Sequence, residues 1–110
     1  MSYEYKLVFD DNFTAQHVMN EIKTSQACVL VKHGDIYLKD HALISNGGYH
    51  ARLTQTDQSS LWLQINFQSV KLCGLLHKAL SGISFRCLED GDPAEEVGLN
   101  EAFRIEGHLV

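Results

Sequence analysis

Proline is nearly absent from this 110-residue chain: Pro93 is the only one. Folding therefore does not wait on many slow prolyl isomerisations. Clusters of positive charge are absent as well. The nine Lys and Arg residues are scattered singly, which leaves no stripe able to neutralise a run of phosphates. Direct binding to nucleic acid or to an anionic membrane surface is disfavoured on that ground. No apolar run approaches the roughly 18 residues that a membrane span requires. The opening Met1-Ser2-Tyr3-Glu4-Tyr5 lacks the basic start and apolar centre of a signal peptide. A soluble, cytoplasmic protein is the expectation. No Cys-x-x-Cys occurs. Cys28, Cys73 and Cys87 are odd in number, widely spaced and set among apolar neighbours. They read as buried thiols in a reducing compartment, not as a disulfide framework, redox motif or zinc site.

Acidic charge is present, and it is localised. Residues 89–106 carry Glu89, Asp90, Asp92, Glu95, Glu96, Glu101 and Glu106 against the single base Arg104. The rest of the chain holds seven acids and eight bases, so the net charge of −5 belongs to one segment. An acidic surface on a near-neutral body suits docking to a basic partner. A solvated C-terminal loop has the same composition.

The length and the 45% hydrophobic content fit one domain with one core, spanning 1–110. Tyr3 to Phe9 alternates as a half-buried strand. Asp10-Asp11-Asn12 supplies side-chain acceptors for the start of a helix over about 13–25, on which Ala15, Val18, Met19 and Ile22 fall at helical spacing. Ala27–Val31 and Ile36–Leu38 predict strands joined by a turn at Lys32-His33-Gly34-Asp35. Ala42-Leu43-Ile44 and Tyr49–Thr56 flank Asn46-Gly47-Gly48, a hairpin signal. Leu61 to Phe67 alternates most clearly of all. A second helix is predicted over about 69–80, ended by Gly82. Ile83, Phe85 and Cys87 form a last core strand. Beyond it Asn100 is placed to cap a short helix over Glu101 to Ile105, with a strand as the alternative. The expected fold is α+β: a mostly antiparallel sheet covered on one face by two helices.

Catalytic and metal-binding patterns are scarce. Six histidines include no H-x-H or H-x-x-x-H pair. His33, Asp35, Asp40 and His41 form the nearest metal-like group, and surface or hydrogen-bonded histidines are the plainer reading. Cys73 and His77 share a helical face; a core cysteine beside Leu72, Leu76 and Leu80 is the plainer reading there. Asp10/Asp11 reads as helix capping and Glu95/Glu96 as loop or docking surface, not as paired acid/base carboxylates. Asn46-Gly47-Gly48 lacks the lysine and helix of a phosphate loop. Asp90-Gly91-Asp92 lacks the rest of a calcium loop. No catalytic residue, metal or cofactor is expected, and the chain is not expected to be an enzyme.

One aromatic stands apart. On the strand from Leu61, Trp62 points away from the side bearing Leu61, Leu63 and Ile65. Ringed by Gln64, Gln55 and His50, it reads as an exposed interface anchor. The alternative tucks it beneath a loop or the C-terminal tail.

In size, in its β-α-β start over Tyr3–Val31, and in the closing run Phe85-Arg86-Cys87-Leu88-Glu89-Asp90-Gly91-Asp92-Pro93-Ala94-Glu95-Glu96-Val97, the chain resembles the small acidic immunity proteins of bacterial toxin systems, in particular those of contact-dependent growth inhibition. The resemblance implies a cognate toxin as partner, commonly a nuclease with a basic cleft, whose active site acidic residues would occlude. The expected partner-binding residues are then Glu89, Asp90, Asp92, Glu95, Glu96, Glu101 and Trp62. The competing expectations are a homo-oligomeric interaction module, with Trp62 and the outer sheet face buried against a second copy, and a small enzyme with His50 or His77 joined to a carboxylate in a pocket. The oligomeric state is expected to be monomer or homodimer.

Overall fold

The computed structural model describes residues 2–43 and 47–105. Alternation builds the first strand, β1 (Tyr3–Phe9): Tyr5, Leu7 and Phe9 are buried, and Glu4, Lys6 and Val8 take the opposite side. Asp11 then starts helix α1 (Thr14–Lys23), its Oδ1 accepting the backbone N–H groups of Phe13 (2.8 Å) and Thr14 (2.7 Å). Ala15, Val18, Met19 and Ile22 form its buried stripe.

Strands β2 (Cys28–Lys32) and β3 (Asp35–Leu38) turn through His33 and Gly34, with φ of 54° and 85°. Two consecutive left-handed residues match the twist of a tight hairpin. Strands β4 (Ala51–Asp57) and β5 (Ser60–Ile65) follow, then helix α2 (Val70–Ala79). The Ser69 hydroxyl accepts the Leu72 N–H at 3.0 Å and caps α2. Gly82 stands beyond its end at φ 77°. Strand β6 (Phe85–Glu89), the two-residue β7 (Glu96–Val97) and the short helix α3 (Leu99–Ala102) complete the chain.

The sheet runs β2-β3-β4-β5-β1-β6-β7, every neighbouring pair antiparallel. β1 lies in its interior between β5 and β6. The helices supply the other half of one core, in which Leu7, Leu53, Leu61 and Leu63 of the sheet meet Val18, Ile22, Leu72 and Leu76. The fold is therefore the expected α+β class, with three differences. Ala42 and Leu43 form a turn, not a strand; an apolar run of that length is short enough to be either. Ile44 and Asn46, the rest of that hairpin signal, lie outside the described residues, as do Glu106 and His108. The expected short final helix is present but starts earlier, over Leu99–Ala102 in place of 101–105, because Leu99, Ala102 and Phe103 bury at i, i+3 and i+4 against α2 and β6. Finally, Asn100 sits inside α3 and does not cap it. Gly98 precedes the helix, and its N–H is taken by Glu101 Oε1 at 3.2 Å.

Candidate functional site

The acidic segment is not a solvated tail. β7 pairs with β6 through Cys87↔Val97 and Leu88↔Glu96, and Leu99, Ala102 and Phe103 anchor the chain behind it. The connection between β6 and β7 is closed by its own backbone. Gly91 N–H donates to Leu88 O (3.1 Å), Asp92 N–H to Glu89 O, and Glu95 N–H to Asp92 O (both 2.9 Å). Asp90 N–H reaches across to Glu4 O on β1 at 2.9 Å. Asp90 and Gly91 both take left-handed backbone, φ 53° and 76°. Asp tolerates that region better than most residues, and Gly adopts it without strain.

The acids of this frame differ in what they do. Glu89 lies 3.6 Å from Arg104, whose guanidinium also stacks on the Tyr3 ring, 4.2 Å from its centroid. Glu96 takes the Arg86 Nε–H at 3.0 Å, and Arg86 also donates to Pro93 O. These pairs are half exposed and contribute little to stability. Asp92 Oδ1 accepts the Ala94 N–H (2.9 Å), and Glu101 serves α3. The carboxylates of Asp90 and Glu95, both exposed, have no hydrogen bond or ion pair among the described residues. Neither they nor Asp92 has a cationic partner among the described residues, and Asp90 and Glu95 lack even a backbone donor.

Trp62 lies beneath this same turn. Its indole N–H donates to Glu4 Oε1 at 2.6 Å. A Cβ placed on Gly91 would stand 3.3 Å from Trp62 Cζ3. Across the sheet Trp62 faces Lys6 on one side and Thr54 on the other. Of the predicted ring of Gln64, Gln55 and His50, Gln64 keeps its place on the outer face two residues along β5, and the other two are placed differently. His50 is buried, and Gln55 pairs with Leu61 and so belongs to the helix-covered side. Trp62 is half-buried, under the acidic turn, where the alternative reading had placed it. Leu88, on the same outer face, is buried too, although it stands outside the main core. Trp62 and the acidic segment therefore form one site.

The other candidates resolve differently. Asn100 Oδ1 meets His77 Nε2 at 2.7 Å and takes a weak contact from Cys73 Sγ at 3.6 Å. Despite this Cys-His-Asn grouping, Cys73 is fully buried and burial pushes its thiol up to about 11, opposite to what a nucleophile needs. Cys87 is pushed up to about 12, first by burial and then by the neighbouring acids. Cys28 departs from expectation in being only half-buried.

Asp40, His50 and Ser69 also converge, all buried. The Ser69 hydroxyl donates to Asp40 Oδ2 (2.7 Å), and the Asp40 backbone N–H donates to His50 Nδ1 (3.0 Å). The serine thus serves the carboxylate and not the imidazole, which is not the arrangement of a hydrolytic triad. The network ties the β3–β4 connection to the start of α2. The Ser69 bond holds the Asp40 carboxyl below its usual range, and burial lowers His50, which keeps the imidazole neutral. Asp40 is thereby separated in role from His33, Asp35 and His41, and among the described residues no group of three His, Cys, Asp or Glu side chains is arranged to hold a metal. The principal clefts among the described residues are lined by neither His50 nor His77. One of them, about 600 Å³, is bordered by Asp11, His17, Glu21 and Lys78. No helix among the described residues is long and apolar enough to cross a membrane.

Comparison with known proteins gives no match: no family model, curated protein or solved structure is significantly similar to this chain.

Proposed function

We propose that the chain is an immunity protein that binds and neutralises a cognate toxin, a basic nuclease domain, by covering its active site with the acidic turn. One observation carries the reading. Asp90 and Glu95 are exposed and uncompensated on a hydrogen-bonded loop that is seated on Trp62. Charge held in place by a folded frame costs less ordering on association than charge on a disordered tail. It also steers a basic cleft toward the turn before contact, within about 8 Å at physiological salt. Glu89, Asp92, Glu96 and Glu101 surround these two with negative charge that is partly engaged at home. Trp62 supplies a rigid aromatic floor under the contact.

The test is co-expression with the product of the gene immediately upstream. A purified complex should form, and nuclease activity should fall stoichiometrically as the protein is added. Asp90→Lys with Glu95→Lys should keep the fold and slow association by roughly tenfold or more at low salt, with little change at high salt. Glu96→Lys is a poorer probe, since it sets two cations together at Arg86. If the upstream product is harmless to cells, or stays active in excess protein, the proposal fails. If association is unchanged by the double reversal, docking lies elsewhere on the molecule.

A further inference from the structure

The two edges of the sheet are built differently. β7 is two residues long and begins with Glu96, with Glu95 just before it. Short length and charge both discourage another strand from pairing there. β2 is five residues long and carries Val29, Leu30 and Val31 in a row, 41%, 50% and 44% exposed. Cys28 to Val31 contains no charge and no proline. One irregularity interrupts its pairing with β3, between Cys28 and Leu30; Leu30, Val31 and Lys32 then pair in steady register with Tyr37, Ile36 and Asp35. Along its other side, β2 has no strand neighbour among the described residues. Half of its backbone N–H and C=O groups point that way, as in any edge strand.

We propose that this edge pairs with the same edge of a second copy, antiparallel about a two-fold axis at Leu30. The segment is complementary to itself. In that register Leu30 faces Leu30 of the copy, Val29 faces Val31, and Cys28 faces Lys32, so the three exposed apolar side chains Val29, Leu30 and Val31 all meet apolar ones. The two Lys32 ammonium groups are four residues apart along the strands, about 13 Å, and do not oppose each other. Long-range charge permits the approach as well. β7 lies six strands from β2, about 29 Å at the usual spacing, which is several screening lengths. A basic toxin is a poor occupant of this edge, because Lys32 and Lys39 flank the hairpin against the single acid Asp35. The product is one sheet running through both copies, with an acidic turn at each outer end. This inference uses none of the residues of the toxin-inhibitor reading, and either can fail alone.

One five-residue strand covers far less than the roughly 800 Å² per partner of a stable interface, so the pair should exchange with monomer in the micromolar range or weaker. The full chain should sediment at 12.4 kDa when dilute and move toward twice that mass over roughly a hundredfold rise in concentration. Leu30→Lys should weaken association about tenfold or more and leave the circular dichroism unchanged, since this side chain is half exposed. In a Cys28→Ser background, Leu30→Cys should form a covalent dimer under mild oxidation, because a self-facing residue brings its Cα atoms to about 4.5–5.5 Å, within disulfide range. Val31→Cys faces Val29 of the copy and should crosslink much more slowly. A constant 12.4 kDa at all concentrations overturns the proposal. So does a dimer that survives Leu30→Lys, or a Val31→Cys crosslink that forms as fast as Leu30→Cys.

Discussion

Replacing Gly91 with alanine tests the seating of the acidic turn on Trp62. Two costs are expected. The first belongs to the backbone: at φ 76° an L-residue with a Cβ is disfavoured by about 1–2 kcal/mol. The second belongs to the neighbour. The new methyl would lie 3.3 Å from Trp62 Cζ3, closer than ordinary van der Waals contact, so the ring must give by a few tenths of an ångström. The ring is poorly placed to do so, held at its other end by the 2.6 Å bond to Glu4. Turning it off its rotamer costs about 0.5–1.5 kcal/mol more. Gly34 supplies the control. Its φ of 85° is equally left-handed, yet a Cβ there meets nothing within 4 Å. Gly34→Ala should therefore lose only the backbone part. Gly91→Ala should exceed it by about 1 kcal/mol, or roughly 4 °C in Tm for a domain of this size. The assay is thermal and urea unfolding of both variants, followed by the emission of Trp62, the sole tryptophan. Only Gly91→Ala should also shift native emission. Equal losses for the two variants, with unaltered emission, would refute the packing of the turn on the ring.

Three further outcomes follow from the buried groups. Ser69→Ala removes the cap of α2, about 1 kcal/mol, and strips a partner from buried Asp40, about 1–3 kcal/mol; together they should lower Tm by roughly 8–16 °C, and a loss under 3 °C would refute the network. The folded-state pKa of His50 is lowered, so the unfolded chain binds the proton more readily. Its contribution to stability is whole above the unfolded value of about 6.5 and declines as pH falls from there toward the folded value, by at most about 1.4 kcal/mol per pH unit. His50→Asn should flatten urea-unfolding stability across that window, and an unchanged slope would count against the depressed pKa. With a thiol reagent at pH 8, Cys28 should react readily, while Cys73 and Cys87 wait for unfolding; three fast thiols would contradict their burial.

Much of the fold was legible because periodicity and turn chemistry are local. Tyr3 to Phe9, the stripe Ala15-Val18-Met19-Ile22, and the Leu61 alternation each carry their own signal. The acidic end was read less well. Its charge is obvious, but charge does not distinguish a tail from a loop tied into a sheet. The helical spacing of Leu99, Ala102 and Phe103 was the available clue, while a two-residue strand such as β7 has no periodicity to find. Period-2 alternation placed Trp62 on the outer face, yet could not say what covers it, because Gly91 lies 29 positions away. The same distance separates Asp40 from Ser69. A serine just before a helical pattern announces a cap; nothing local announces its second bond.

The interior position of β1 carries a consequence for how the chain is made. β2 to β5 can form a meander from neighbouring residues alone, each strand paired with the next in sequence. β6 has no such neighbour, since its pairing begins on β1, the first of the seven strands in sequence. In the folded sheet that strand is held on its other side by β5, and it is the surface on which the last fifth of the chain is built. The acidic turn therefore depends on it, and a nascent chain that lacks β6 and β7 presents a long β1 edge in its place.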